Sequence, residues 1–178
     1  MSVEEAIVSR RSIRSYSGVP LTDDELSQLL WAAQGITDTR RNYRAAPSAG
    51  ATFPLETYVV TQTGIYRYDP PRHALEELKT GDLRRKLASA AYEQSFVAEA
   101  GATIVFAAVP QRTTQRYGTR GHMYIHMEAG HAAQNVHLQA VALGLGSVPV
   151  GAFDDDAVAS VLGLPRGQIP LYLIPVGR

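Results

Sequence analysis

At 178 residues the chain is long enough to build a full hydrophobic core, and it reads as one domain spanning 1–178. Its 17 basic and 17 acidic residues balance, which leaves no general electrostatic footprint for nucleic acid or an anionic membrane. Cysteine is absent, so disulfides, thiolate metal sites and cysteine nucleophiles are excluded.

The opening residues, MSVEEAIVSRRS, carry two glutamates and no apolar core, so no secretory signal is expected. Val3–Arg10 reads as a short amphipathic helix with Val3, Ala6 and Ile7 on one side. It leads into Arg10-Arg11-Ser12-Ile13-Arg14-Ser15-Tyr16. Three arginines and two serines in this run suit an anion, because guanidinium groups fork onto phosphate oxygens and hydroxyls add short hydrogen bonds. A solvated basic turn has the same composition.

Thr22-Asp23-Asp24-Glu25 is a capping box, with Thr22 as cap and Glu25 reaching back. Leu26, Leu29, Leu30 and Ala33 follow at helical spacing, Trp31 reads as packing, and Gly35 ends the helix. Ile36–Pro54 shows no periodicity. Its second half, Ala45–Pro54, is small, apolar and uncharged, which fits an interface better than disorder.

Thr57–Thr61 and Ile65–Tyr68 read as a hairpin across Gln62-Thr63-Gly64. Leu75–Lys79 is expected to be a short helix, and Asp82–Ala91 another, with Asp82 as its cap. Thr103–Val109 is an apolar run of central-strand length, and Gln111–Gly121 is expected to be a polar loop. A helix from near His122 to Leu143 is apolar on most faces, which predicts burial all round, with Gly144 as its left-handed cap. Polar Gln134, Asn135, His137 and Gln139 interrupt it, so it is not a membrane span. Gly146–Phe153, GSVPVGAF, reads as backbone held against something flat. Asp154-Asp155-Asp156 opens a helix that ends at Gly163, and Leu171–Val176 is the last strand. The expected fold class is α+β: a sheet of about four strands, mostly antiparallel, with helices packed on it.

Gly144, Gly146 and Gly151 do not have Rossmann spacing, and a helix precedes them where a strand is required. His122 and His126 sit one turn apart. His137 lies eleven residues further on, about 16 Å along a helix, so it cannot join them; no metal site is expected. No G-x-S-x-G elbow supports a serine nucleophile. What remains is the arginine-serine cluster, the Pro47-Ser48-Ala49-Gly50 loop, the loop after Gly144, and a C-terminal arginine. Together these are the parts that a phosphorylated flat cofactor needs.

The sequence resembles the FMN-dependent nitroreductase family, and most of all its SagB-type dehydrogenase branch. The matching pieces are RRSIRSY (Arg10–Tyr16), APSAGATFPLETYVV (Ala46–Val60), LKTGDLRRKLASAA (Leu78–Ala91), RYGTRGHMYIHMEAGHAAQNVHLQAVALGLGSVPVGAFDDD (Arg116–Asp156) and LYLIPVGR (Leu171–Arg178), in the family's order. Ala51, Phe53 and Leu55 stand where the commoner nitroreductases carry asparagine, glutamine and tryptophan. The resemblance implies a three-layer sandwich and a homodimer with FMN at the subunit interface, and the absence of a signal or a membrane span in the sequence leads us to expect a cytoplasmic protein. It implies that Arg10, Ser12 and Arg178 bind the flavin phosphate and that Arg14 lies at the pyrimidine edge. Gly151 and Ala152 would face flavin N5 and O4, Val150 would also contact the cofactor, and Arg14 and Gly151 would be nearest the chemistry. Pro47, Ser48 and Gly50 would come from the partner subunit. NAD(P)H is the implied electron donor, and a nitro compound or quinone the implied acceptor. Oxidation of a peptide azoline and non-catalytic flavin binding are the alternatives. Tyr92, Tyr117, Tyr124 and Lys79 are open candidates for a proton donor.

Overall fold

The computed structural model describes residues 1–178. In chain order the elements are α1 (Val3–Ser9), α2 (Asp23–Gln34), β1 (Ile36–Asp38), β2 (Tyr43–Arg44), a 3-10 turn at Ala49–Ala51, β3 (Leu55–Thr61), β4 (Gly64–Asp69) and β5 (Ala74–Thr80). They continue with α3 (Arg84–Ala90), α4 (Ser95–Glu99), β6 (Ala102–Ala108), α5 (Gln111–Tyr117), α6 (Arg120–Ala142), β7 (Gly146–Ser147), α7 (Asp155–Leu162) and β8 (Ile169–Gly177).

Six strands form one sheet in the order β5-β4-β3-β6-β8-β7, and every neighbouring pair is antiparallel. All seven residues of β6 are buried, as a strand covered on both faces requires. Successive side chains of a strand point to opposite faces. Ile104 and Phe106 therefore join Leu29, Ile125, Ala132 and Val136 on the α2–α6 side. Val105 and Ala107 join Leu87, Val97, Val158 and Leu162 on the α3–α4–α7 side. Helices on both faces of a central sheet make the three-layer α+β sandwich.

The local signals explain several boundaries. Thr22 Oγ1 accepts from Glu25 N, and Glu25 Oε2 accepts from Thr22 N at 2.8 Å, closing the expected box of α2. Ser2 and Glu5 build a second box on α1. Asp154 Oδ1 accepts from Ala157 N at 2.8 Å and caps α7, which ends on Gly163 at φ 72°.

Several expectations need correction. Leu75–Lys79 is not a helix but most of β5, an edge strand. Its ladder with β4 and an Arg67–Glu76 pair at 2.6 Å across the strands override a helix-favouring LEELK string. Gln111–Tyr117 is a helix, not a loop. It buries only Thr113, so it has no apolar stripe to betray it. The sheet has six strands rather than about four, because β5 and the two-residue β7 carried no strand signal. The N-cap of α3 is Leu83; Asp82 instead accepts from the Arg84 backbone at 3.1 Å and pairs with its guanidinium. Within Ile36–Pro54 lie the β1–β2 ribbon and the 3-10 turn.

α6 is not buried all round in one chain. Ile125, Ala129, Ala132, Ala133, Val136 and Ala140 form one buried stripe, while Met123 and Met127 stay exposed. Trp31 is 44% exposed, and of the α1 residues Val3, Ala6 and Ile7 only Ala6 is buried. Val3, Ile7, Trp31, Met123 and Met127 leave an apolar surface on the layer formed by α1, α2 and α6.

Candidate functional site

The arginine-serine cluster leaves the end of α1 and lies along β7. Ser12 bridges Ser147 in parallel register, and Ile13 N donates to Ser147 O at 3.0 Å. Gly146 permits this approach, since a Cβ there would stand 2.8 Å from the Ile13 side chain. β7 in turn pairs with the end of β8, Gly146 with Gly177 and Ser147 with Val176. Residues far apart in the chain, Arg10–Arg14, Gly146–Ala152 and Arg178, are thereby gathered along the β7 edge of the sheet.

The three cationic residues assigned by resemblance differ in their surroundings. Arg10 Nη1 lies 3.2 Å from His137 Nε2, and His137 Nδ1 lies 2.5 Å from Ser147 Oγ. His137 is 2% exposed; burial first and the Arg10 charge second push its pKa down to about 4, so the ring is neutral at neutral pH. Arg14 is exposed and without an ion pair in the chain. Arg178 pairs with Glu25 of α2, the carboxylate that also caps that helix. Arg11 turns back on α1, donating to Val8 O at 2.8 Å.

Val150 anchors the next loop, exchanging two backbone bonds with Leu173 at 2.7 and 3.0 Å. Gly151 and Ala152 then stand exposed, and their N–H groups donate to nothing within the chain. Gln94 Nε2 holds the loop from behind through Ala152 O at 2.9 Å, and Asp154 N donates to Ala90 O at 2.9 Å. A Cβ at Gly151 would meet only Tyr172 Cε2, at 3.8 Å, an ordinary contact. The fold does not require glycine there. Two adjacent free amide donors, on the loop that follows the strand bridged to Ser12, make a surface suited to the polar edge of an anionic or carbonyl-bearing ring.

Pro47, Ser48 and Gly50 lie elsewhere. No hydrogen bond or ion pair joins them to Arg10–Arg14 within one chain. Ser48 Oγ accepts from Phe53 N at 2.9 Å, and Arg116 Nη1 donates to Gly50 O at 3.2 Å. Gly50, Ala51 and Phe53 all have positive φ, at 58°, 53° and 44°. For non-glycine residues this costs about 1–3 kcal/mol each and tends to occur where function holds the backbone. Beneath the loop Glu128 is 2% exposed, with Oε1 unpartnered; burial pushes its pKa up to about 7 against the Ser48 hydrogen bond and the Arg44 charge.

The sequence excludes His137 from a metal site with His122 and His126 but does not reveal its partners, Arg10 and Ser147. Nor does it reveal Gln94 or Glu128. Those links join distant segments and leave no local pattern. Of the polar pair Gln134 and Asn135 in α6, Asn135 makes packing bonds, to Ala32 O at 3.1 Å and Ala45 O at 3.3 Å, while Gln134 is exposed. Lys79 Nζ donates to Val161 O at 2.7 Å near the end of α7. Tyr117 and Tyr124 stack edge to face at 5.1 Å.

The nitroreductase family model matches residues 7–178. The chain belongs to the nitroreductase family. A Methanocaldococcus jannaschii protein, provisionally named a nitroreductase, is 45% identical over all of this chain and 91% of its own length. A crystal structure of a provisionally named nitroreductase from Ralstonia eutropha superposes with a TM-score of 0.92 at 31% identity, covering 100% of this chain and 83% of the other. A Bacillus subtilis protein named FMN reductase (NADPH) is 27% identical over 98% of this chain, which spans 64% of that relative. These likenesses agree with the six-stranded antiparallel sheet between helices. No helix of this family member is long and apolar enough to cross a membrane.

Proposed function

We propose that the protein is a cytoplasmic, homodimeric FMN-dependent oxidoreductase. It moves hydride between NAD(P)H and a small organic acceptor, such as a nitro compound or quinone. The observation that carries this is the pair of unbonded N–H groups at Gly151 and Ala152, on the loop that follows the strand bridged to Ser12 of the Arg10–Arg14 run. Family membership and the similarity to an FMN reductase support it.

The residues present fit FMN. Arg10 has a neutral partner rather than a carboxylate, so its charge is available to a phosphate. Arg14 is free, and Gly151 presents open backbone without being required by internal crowding. Bound FMN would supply at N5 a centre that takes up hydride and gives it on. The chain's part is to bind and bias. Arg10 and Ser12 hold the phosphate, with Arg178 nearby. Arg14 favours negative charge at the pyrimidine edge. The N–H groups of Gly151 and Ala152, steadied by Val150 and Gln94, orient the ring edge. Pro47, Ser48 and Gly50 reach the site from a second subunit. The exposed Val3, Ile7, Trp31, Met123 and Met127 supply an apolar face for that contact.

A second reading is favoured by one observation. Ala51, Phe53 and Leu55 replace the polar and aromatic set of the commoner nitroreductases, which points toward the SagB-type branch and oxidation of a peptide azoline.

The test is the visible spectrum of fresh protein. We expect oxidised-flavin bands, FMN released on denaturation, bleaching by NADH or NADPH, and recovery on adding an acceptor. Protein that stays colourless with excess FMN overturns the reading. Bound flavin that neither nucleotide reduces leaves a non-catalytic flavin binder or, if an azoline peptide reduces it, the SagB-type activity.

A further inference from the structure

His137 stands between the Arg10 guanidinium and β7, and both its ring nitrogens are engaged. A guanidinium offers only donors. Nε2, 3.2 Å from Arg10 Nη1, must therefore carry the lone pair. The ring is neutral, so its one proton is on Nδ1 and is donated to Ser147 Oγ, 2.5 Å away. Ser147 is a rigid acceptor: it is 1% exposed, its carbonyl takes the Ile13 N–H, and it pairs with Val176.

We propose that His137 is a positioning residue that holds the Arg10 guanidinium in the orientation that receives the FMN phosphate. This rests on the FMN reading above. Arg10 caps a seven-residue helix and pairs with no carboxylate in the chain. Ordering a free arginine side chain costs conformational entropy. A fixed acceptor for one N–H pre-empts that cost and leaves the remaining donors for the phosphate. The acceptor has to be neutral, because a carboxylate in its place would cancel the charge that attracts the anion. Arg178, held by Glu25, shows the contrasting arrangement.

The test compares binding of FMN with binding of riboflavin, which has the same ring and no phosphate, to flavin-free protein. The ratio of the two affinities reports the phosphate contact. In His137→Leu the FMN affinity should fall about tenfold while riboflavin affinity holds, the scale of one hydrogen bond to a charged group. Arg10→Ala should collapse the ratio, and adding His137→Leu to it should change nothing further. His137→Gln, whose amide oxygen can still accept from Arg10, should restore part of the ratio, and it serves if the leucine variant does not fold. Nitrogen NMR of the histidine ring should show the Nδ1–H tautomer.

A wild-type ratio near one would sink the FMN reading itself. A large ratio that Arg10→Ala abolishes but both His137 variants keep would overturn this inference alone. So would equal losses of FMN and riboflavin affinity in His137→Leu, as plain packing would give, or an Nε2–H tautomer.

Discussion

Arg178, the last residue of the chain, is paired with Glu25 in the first turn of α2, and the other oxygen of that carboxylate caps the helix. One acidic side chain thus ties the end of β8 to the start of α2 and neutralises a cation at the proposed phosphate corner. Glu25→Gln keeps an acceptor for the Thr22 N–H and removes the charge. If Arg178 meets the phosphate, this variant should bind FMN about 2- to 5-fold more tightly, the scale of a partly exposed ion pair. The gain should vanish in an Arg178→Ala background. A fluorescence titration of the single and double variants decides, and an unchanged affinity in Glu25→Gln removes Arg178 from the site.

Arg10 and Arg14 should fail differently. If Arg10 holds the phosphate, Arg10→Ala should lose a charge-assisted hydrogen bond of roughly 1.5–3 kcal/mol, or about 10- to 150-fold in FMN affinity, with little change in midpoint potential. Arg14→Ala should lower the potential, because the anionic reduced ring loses its nearby cation. Reconstitution and redox titration of both variants separate the roles. A potential that moves with Arg10 and not with Arg14 would mean the two are wrongly assigned.

Gly50 and Gly151 offer a contrast that sequence alone could not draw. At Gly50 a Cβ would strike Tyr117 Oη and come within 2.7 Å of Arg116 Nη1, at a φ of 58°. Gly50→Ala should cost about 1–3 kcal/mol of stability, a fall in Tm of roughly 2–10 °C. At Gly151 the nearest atom is 3.8 Å away. Gly151→Ala should melt within about 1 °C of wild type and still weaken FMN binding, because its methyl group enters the open face. Calorimetry and flavin titration of the pair would show both effects, and equal flavin affinity in Gly151→Ala would remove the loop from the site.

Much of the scaffold was legible because its signals are local. The Thr22–Glu25 box, the apolar run of β6, and the Asp154 and Gly163 limits of α7 each lie within a few residues of what they specify. β5 and α5 were misread because tertiary contacts decide them. β5 is an exposed edge fixed by its ladder with β4, and α5 is held by Arg112 to Glu56 at 2.6 Å without an apolar stripe. In the proposed site, the arginine and glycine positions come from local motifs. The His137 bridge does not, since ten residues separate it from Ser147 and 127 from Arg10.

Two buried titratable groups, Glu128 and His137, pull stability in opposite directions with pH. Glu128, facing Ser48 and Arg44, has its pKa raised from 4.5 to about 7. Between those values the unfolded chain loses its proton while the folded one keeps it. The stabilisation is therefore full below pH 4.5 and is lost as pH rises through 7. His137, facing Arg10 and Ser147, has its pKa lowered from 6.5 to about 4. Its contribution is full above pH 6.5 and is lost as pH falls through 4. At 1.36 kcal/mol per pH unit each slope amounts to about 3 kcal/mol at most, and across the shared window they oppose each other. Wild-type stability should be nearly flat there as far as this pair is concerned. Glu128→Gln should remove the falling limb, so that stability climbs from pH 4 to 6.5, and should gain most over wild type near pH 7–8, where the native carboxylate would be ionised and buried. His137→Gln should remove the rising limb, so that stability falls from pH 4.5 to 7. Denaturant midpoints at half-unit pH steps on the three proteins measure this directly. Parallel curves for Glu128→Gln and wild type would mean that Glu128 is ionised in the folded chain and that the loop carrying Ser48 does not sit on a protonated carboxyl.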